Sequence, residues 1–518
     1  MRSSRFETGS VRAAALIVAL ALSQGSALAN YDGSLDTTLT PPFGADPYYG
    51  VPGLFDYEVN LGGSGTYLND DTAAAVAVQV DGKIVVAGYS WNNYVGTDQN
   101  ACVLERFNED GSADSTFGSN GRVVEDFTPQ GGENDCYFVA LALEGNGDIV
   151  AVGNLWDATH GERALIERFL ASGQRDTTFG TSGSGYVVLD DDTAFSAVVA
   201  DVDGWLYAAG RHKLSGFSDY DFYLGAFEPD GTLHYDRGFY FDLGADHDDR
   251  ASALVLQKNI CIGFVCTPHD ELYVVGTANN TAYPDGLANH DCAILAYTRE
   301  AGEQFDLDNG FNGTGAESID EPWSQGSGPN EGDNYCHTAV SRNGYGVLTG
   351  GETYGDYSGV GDASYASVIS VDPTGIYQYG PLQGFGYFAS GIYNGIWAMA
   401  REPGGKVVGA GYGGSSDPEH QPSDVGLLRI NTDGTSVDCF FGNVICADML
   451  SLDGLGGLLP HQREWATAVA LDNRGRIVFV GPRSVIYGVD EDYDWIVGRL
   501  VTSDEIFRDG LDGIVPPT

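Results

Sequence analysis

The sequence predicts an all-β fold, a seven-bladed β-propeller of four-stranded antiparallel blades closed by an N-terminal strand. Three observations support this prediction. A two-part unit recurs seven times along the 518-residue chain, and the two ends of the repeated region carry complementary halves of it. The composition also favours β-structure, since the chain contains 73 Gly, 29 Tyr and 24 Phe. Its apolar fraction of 42% is enough for a packed core.

The first part of the unit consists of two short apolar runs joined by a turn such as Asp-Gly or Asn-Gly, as in residues 75–88. This pattern is the strongest short-range sequence signal of a β-hairpin. Each copy ends in glycine, and an insertion widens the fourth hairpin. The copies span residues 75–88, 140–153, 197–210, 254–276, 339–350, 398–411 and 468–481.

The second part of the unit predicts another strand and a tight turn, as in residues 103–118. Its turn carries a D-x-x-F mark that has two interpretations. Each blade could form a ligand pocket from one carboxylate and one ring, or Phe could pack between blades while Asp caps its own turn. We favour the interpretation in which Phe packs between blades, because similar sheets arranged in a ring need a similar packing residue at every interface. The marks are Asp114/Phe117, Asp176/Phe179, Asp236/Phe239, Asp308/Phe311 and Asp438/Phe441.

The ends of the repeated region determine how the ring is expected to close. Residues 31–38 form the outer half of a unit with no inner half before it, and the seventh unit stops after its third strand, near Leu500. A ring whose N-terminal segment completes the last sheet accounts for both ends and buries both strand edges. An open β-solenoid is the alternative, and it gives no reason for the complementary ends.

The N-terminus has the pattern of a secretory signal peptide. Three arginines flank or precede the apolar stretch 13–22, and Ala-Leu-Ala at 27–29 fits a cleavage site before Asn30. A stretch this short does not span a bilayer, which needs about 20 residues. We therefore expect a secreted or surface-exposed protein, with an attached apolar helix as the alternative. The expected organisation is a signal peptide at 1–29, the propeller at 30–500 and a C-terminal tail at 501–518.

All eight cysteines follow the expected cleavage site, and an even number in an oxidising compartment favours disulfides. Cys102 and Cys292 occupy the same position in the second part of the unit. Each has a candidate partner just before the next unit, which predicts two bonds between neighbouring blades. Zinc ligation is disfavoured, because no C-x-x-C pair occurs. The expected pairs are Cys102–Cys136, Cys292–Cys336, Cys261–Cys266 and Cys439–Cys446.

The formal net charge of −48 at pH 7 restricts the possible partners. It excludes nucleic acid and electrostatic docking on anionic lipid. Solubility is the preferred explanation of the acidity, and divalent cation binding is the more specific alternative. Residues 490–494 and 306–310 resemble the start of calcium loops, but neither satisfies the full pattern D-x-[DN]-x-[DN]-G with a Glu at the twelfth position. We therefore expect no cofactor, with calcium as the alternative.

Catalytic motifs are absent from the sequence. It contains no G-x-S-x-G, H-E-x-x-H or G-x-x-x-x-G-K-[ST] pattern. His247 lies among three aspartates and could share a metal with them, but a solvated charged loop is the preferred interpretation. We assign no catalytic, cofactor-binding or metal-ligating residue.

The units resemble the delta-60 repeats of bacterial extracellular proteins. The segments AVAVQVDGKIVVAG at 75–88 and RFNEDGSADSTFGSNG at 106–121 carry the resemblance. It covers roughly residues 31–500 and is strongest in the first two units. The resemblance implies a β-propeller-type repeat protein and no particular activity.

The expected function is non-catalytic binding of a saccharide or a protein by a monomeric disc. Propellers hold ligands at the loops around the central channel, and the longer connections here are rich in aromatic residues, amides and acids. Trp91 and Trp323 are the expected contacts. A hydrolase or lyase that uses carboxylates at the channel mouth, and a structural envelope or adhesion protein, are the alternatives. The longer connections span 90–100, 277–290, 317–334, 352–363 and 412–424.

Overall fold

The computed structural model is a seven-bladed β-propeller of antiparallel sheets with almost no helix, which confirms the predicted fold class. The expected signal peptide and the cysteines Cys261, Cys266, Cys439 and Cys446 lie outside the described residues. The structure describes residues 34–40, 52–59, 61, 71–92, 99–125, 127, 134–234, 248–260, 269–280, 289–300, 305–319, 333–342, 346–356, 362–379, 393–415, 424–432, 447–450, 463–487 and 490–502.

The strands follow the repeat along the chain, beginning with β1 (Leu54–Tyr57). The first blade contains β2 (Asp71–Val78), β3 (Ile84–Asn92), β4 (Gln99–Phe107) and β5 (Arg122–Glu125). The second contains β6 (Asn134–Leu143), β7 (Ile149–Asp157), β8 (Gly161–Phe169) and β9 (Tyr186–Asp191), with a 3-10 turn at Thr181–Gly183. The described strands of the third are β10 (Thr193–Ala200), β11 (Leu206–His212) and β12 (Asp221–Phe227).

The remaining blades repeat the same order. The fourth contains β13 (Arg250–Ile260), β14 (His269–Asn280), β15 (Asn289–Glu300), β16 (Asp306–Leu307) and β17 (Ala316–Ile319). The fifth contains β18 (Asn334–Ser341), β19 (Val347–Asp356), β20 (Asp362–Val371) and β21 (Tyr377–Tyr379). The sixth contains β22 (Tyr393–Arg401), β23 (Val407–Ser415), β24 (Asp424–Ile430) and β25 (Ala447–Leu450). The seventh contains β26 (Ala468–Leu471), β27 (Ile477–Tyr487) and β28 (Asp490–Leu500).

The first strands of the blades form the inner ring. Each contacts the first strand of the next blade, and β26 of the seventh blade contacts β2 of the first. The seventh sheet has the order β1-β28-β27-β26, with Leu54 opposite Gly498 and Tyr57 opposite Trp495. Its outer strand therefore comes from the N-terminal part of the chain.

The hydrophobic core lies between neighbouring sheets. Val85 and Leu104 of the first blade pack with Phe138 and Leu165 of the second in one buried cluster. Equivalent clusters occupy the other blade interfaces, including the one between the seventh and first blades. Sheets that bury both faces need apolar residues on both, which explains the near-continuous apolar runs of the repeat.

A β-bulge and a glycine recur together in the inner hairpins. In the first blade the bulge falls between Ala73 and Ala75, opposite Gly88. A Cβ on Gly88 would lie 1.9 Å from the carbonyl oxygen of Thr72, so only glycine fits. The equivalent contacts in the other blades measure 1.7 to 2.1 Å. The glycines are Gly88, Gly153, Gly210, Gly276, Gly351, Gly411 and Gly481.

The fifth blade corrects one boundary of the sequence repeat. We expected the fifth copy to end at Gly350, but Gly351 is the glycine that faces the carbonyl of Tyr335. The bulge here falls between Cys336 and Thr338. The adjacent pair of glycines concealed this one-residue shift in the sequence.

The second part of the unit links neighbouring blades where the structure describes it; the marks Asp236/Phe239 and Asp438/Phe441 lie outside the described residues. Arg106 forms an ion pair with Asp114, at 2.8 Å between Nε and Oδ2, and its guanidinium lies over the ring of Phe117 at 4.4 Å. It also donates to the carbonyl of Ala171 in the second blade. Asp114 accepts hydrogen bonds from the N–H and hydroxyl of Thr116 within its own turn. The structural interpretation of the D-x-x-F mark is therefore confirmed here.

The same arrangement joins other blades. Arg168 pairs with Asp176, lies 4.7 Å from the ring of Phe179 and donates to the carbonyl of Pro229 in the third blade. At the other end of the chain, Arg499 pairs with Asp36 and donates to the carbonyl of Glu109 in the first blade.

Two predicted disulfides are confirmed. Cys102–Cys136 joins the first blade to the second, and Cys292–Cys336 joins the fourth to the fifth. The paired residues are 34 and 44 positions apart in sequence. On an entropic account, each disulfide that closes a loop of this size adds roughly 3–4 kcal/mol to the free energy of unfolding.

Buried Glu105 connects β1 to the first blade. Its carboxylate accepts hydrogen bonds from Arg122 and, at 3.5 Å, from the hydroxyl of Tyr57. Burial raises the pKa of Glu105 to about 7, although Arg122 acts in the opposite direction. The protonated form is therefore favoured by folding.

We expect the Gly153→Ala variant to lose about 1–3 kcal/mol of unfolding free energy or more, because its Cβ would lie 2.0 Å from the carbonyl oxygen of Tyr137. Gly145→Ala is the matched control, since a Cβ there meets nothing within 4 Å. Urea unfolding of both variants measures the difference. Equal midpoints would contradict the role of the glycine.

We expect part of the stability to decline as pH rises from about 5 to 8. The folded pKa of Glu105, about 7, exceeds the ordinary value of 4.5. Its stabilising contribution is therefore fully present below about 4.5 and is lost as pH rises through 7. Glu105→Gln should flatten this decline by on the order of 2 kcal/mol, whereas Glu162→Gln, at a partly exposed pair with Arg211, should not. Unfolding free energies measured between pH 5 and 8 test this prediction. The same dependence on pH in the wild type, Glu105→Gln and Glu162→Gln would refute it.

Candidate functional site

The bulges place a regular set of side chains at one end of the central channel. At this end the first strands begin and the second strands end, since Tyr335 lies opposite Glu352 and Gly395 opposite Tyr412. The bulged residue of each first strand is partly exposed. We call these residues the bulge positions, and they are Ala74, Val139, Ser196, Ser252, His337, Trp397 and Thr467.

A second set lies two residues before each bulge. These residues supply the carbonyls that face the repeated glycines, and we call them the carbonyl positions. They are Thr72, Tyr137, Ala194, Arg250, Tyr335, Gly395 and Trp465. In the first three blades both sets are mainly small or aliphatic, with Tyr137 as the exception. In blades four to seven they include an arginine, a histidine and three aromatic residues, so the channel end is asymmetric.

Aromatic rings form a continuous series on blades four to seven. The rings of His290 and Tyr335 stack at 4.8 Å between centroids, and those of Tyr335 and His337 are nearly parallel at 6.1 Å. Trp397 contacts His337 at 6.1 Å and Trp465 at 6.3 Å. We call this series the aromatic arc, and its members are His290, Tyr335, His337, Trp397, Tyr412, Trp465 and Tyr493.

A buried carboxylate holds the middle of the arc. Glu352 hydrogen-bonds to His337, at 3.1 Å between Oε1 and Nε2, and its carboxylate accepts a hydrogen bond from the hydroxyl of Tyr412. The hydroxyls of Tyr412 and Ser364 are 3.0 Å apart. Strands of the fifth and sixth blades thus share one polar network, which fixes the orientation of the imidazole.

A second carboxylate holds the fourth-blade end of the arc. Asp333 accepts the backbone N–H of His290 at 3.1 Å and lies 3.3 Å from its Nδ1. Burial would raise the pKa of Asp333, but the hydrogen bonds from His290 outweigh it and lower the pKa. Burial and the charge of Asp333 raise the pKa of Tyr335 to about 12. The Tyr335 hydroxyl is therefore a neutral hydrogen-bonding group at physiological pH.

Unused hydrogen-bonding capacity adjoins the arc. The side-chain amide of buried Asn394 has no partner for either its nitrogen or its oxygen among the described residues, and neither does the indole N–H of Trp397. Buried polar groups are normally hydrogen-bonded to protein or to ordered water, and the amide of Asn394 is fully buried.

The described residues contain no group of three or more His, Cys, Asp or Glu side chains that could hold a metal ion. In the candidate calcium loop at 306–310, Asp308 instead accepts the backbone N–H of Gly310 at 2.8 Å. His247 lies outside the described residues, and so do the side chains of Asp490 and Asp492.

The sequence did not identify the arc. Trp91 lies near the end of β3, opposite Asn100, and Trp156 has the equivalent place in the second blade. Neither belongs to the arc, and Trp323 lies outside the described residues. The available signal was positional, because at least one large ring comes shortly before the first apolar run in each of units five to seven: Tyr335 and His337, Trp397, and Trp465.

Comparison with known proteins agrees with the fold. Residues 79–117 match a family model described as "Domain of unknown function (DUF5122) beta-propeller". No curated protein matches the chain. The described residues include no helix long and apolar enough to cross a membrane.

Several solved structures are similar at low identity. A protein of unknown function from Dyadobacter fermentans has 9% identity and a TM-score of 0.39, with 87% of this chain and 100% of that chain covered. The polysaccharide lyase Uly1 has 10% identity and a TM-score of 0.39, covering 91% and 97%. Drosophila Semaphorin 2a has 8% identity and a TM-score of 0.41, covering 92% and 77%. Similarity at this level carries no argument about function.

Proposed function

We propose that the protein is a non-catalytic saccharide-binding propeller whose ligand lies on the aromatic arc. The observation that carries this proposal is the concentration of rings at one end of the channel, on four consecutive blades, all of them partly exposed except that of Tyr412. Flat rings contact the apolar faces of sugar rings, while nearby polar groups hydrogen-bond to the hydroxyls.

The polar groups beside the arc support this ligand class. Glu352 and Asp333 hold the imidazoles of His337 and His290 in place. These contacts engage Nε2 of His337 and Nδ1 of His290, and each partly exposed imidazole keeps its other ring nitrogen for a sugar hydroxyl.

We also propose that the protein acts outside the cytoplasm, with residues 1–29 as its signal peptide and 501–518 as a tail. The two disulfides between blades support an oxidising location, because such bonds persist there and are rare in the cytosol. N-terminal sequencing of the mature protein tests the cleavage before Asn30.

We expect Trp397→Ala and Trp465→Ala each to weaken saccharide binding about tenfold or more, because each removes a ring face from the arc. Trp156→Ala is the matched control, since its indole is 44% exposed on the second blade and lies outside the arc. Titration calorimetry with a panel of oligosaccharides gives the affinities, and thermal unfolding confirms that each variant is folded.

Incubation of the protein with the same oligosaccharide panel distinguishes binding from catalysis. We expect retention of saccharide without release of reducing sugar or unsaturated product. Sustained product release that depends on Glu352 or His337 would establish the hydrolase or lyase alternative instead. Equal loss of affinity in all three tryptophan variants, or in none, would refute the arc as the binding site.

A further inference from the structure

One carbonyl position at the edge of the arc carries a cation. Arg250 begins β13 in the fourth blade, and the next carbonyl position around the channel is Tyr335. Arg250 is exposed, and the chain has 73 acidic and 25 basic residues. With this excess of acids, an exposed arginine would be expected to have an acidic partner.

Arg250 has no ion-pair or side-chain hydrogen-bond partner in the described structure. The two aspartates before it are engaged elsewhere. Asp248 accepts the backbone N–H of Tyr220, and Asp249 accepts that of Asn279, each at 2.9 Å. Arginines on other blades do form ion pairs, as in Arg106–Asp114, Arg168–Asp176, Arg429–Glu402 and Arg499–Asp36.

The acids of the arc do not neutralise Arg250 either. Asp333 is held by His290, and Glu352 by His337 and Tyr412. The charge of Arg250 acts on the hydroxyl of Tyr335, where it opposes the rise in pKa. Because Arg250 and Tyr335 occupy neighbouring carbonyl positions, Arg250 lies at that end of the arc.

We propose that the ligand of the aromatic arc is an acidic saccharide of the uronic acid class, whose carboxylate binds the guanidinium of Arg250. This inference rests on the proposed function above. A guanidinium presents a planar fork of N–H donors that matches a carboxylate. The negative charge of the whole chain does not prevent the contact, because salt screens interactions beyond about 8–10 Å at physiological ionic strength.

The test compares uronate oligosaccharides with their methyl esters, which share the sugar rings and lack the charge. Oligogalacturonates, mannuronates and C6-oxidised cello-oligosaccharides form the set, and calorimetry at pH 7 gives the affinities. We expect at least one charged ligand to bind about tenfold more tightly than its ester. Arg250→Gln should remove this preference and leave the affinity for the ester unchanged. Arg474→Gln is the matched control, because Arg474 is exposed in a hairpin turn at the other channel end.

The outcomes separate this inference from the proposed function. Equal affinities for acid and ester, or an unchanged preference in Arg250→Gln, would overturn the acidic saccharide while leaving saccharide binding intact. Binding of neutral oligosaccharides alone from the wider panel would do the same. Absence of binding by every saccharide, charged or neutral, would overturn both.

Discussion

The close approach of a first-strand carbonyl to a second-strand glycine is the contact on which the rest of the structure depends. It recurs in all seven blades and leaves no room for a Cβ, as at Gly153 and the carbonyl of Tyr137. The adjacent bulge adds one residue to the first strand, and that residue is partly exposed. Because this contact uses the backbone alone, it leaves the channel-end side chains free to differ between blades.

The two ends of the propeller therefore have different roles. At the end with the Asp-Gly hairpins, contacts such as that of Arg106 with Asp114 and the carbonyl of Ala171 join neighbouring blades, and they recur from the second blade to the third and from the seventh to the first. The other end keeps the repeated backbone but differs in side chains. There, aromatic residues of blades four to seven meet, while most positions in the first three blades are small or aliphatic. Repetition supplies a rigid frame, and departure from it supplies the candidate site.

The sequence predicted the features that arise from neighbouring residues. Hairpins, the D-x-x-F turns and the pair Cys102–Cys136 follow from local patterns and from one repeat length. The arc could not be predicted in this way, because His290 and Tyr493 are about 200 residues apart and meet the intervening rings only when the blades close into a ring. The shift from Gly350 to Gly351 was hidden for a different reason: a bulge changes register without changing composition.

The most direct test of the account is a crystal structure with a bound uronate oligosaccharide. The account predicts that the ligand lies across blades four to seven, with a sugar ring against Trp397 or Trp465 and a carboxylate on the guanidinium of Arg250. A ligand bound at the hairpin-turn end, or on the first three blades, would contradict it.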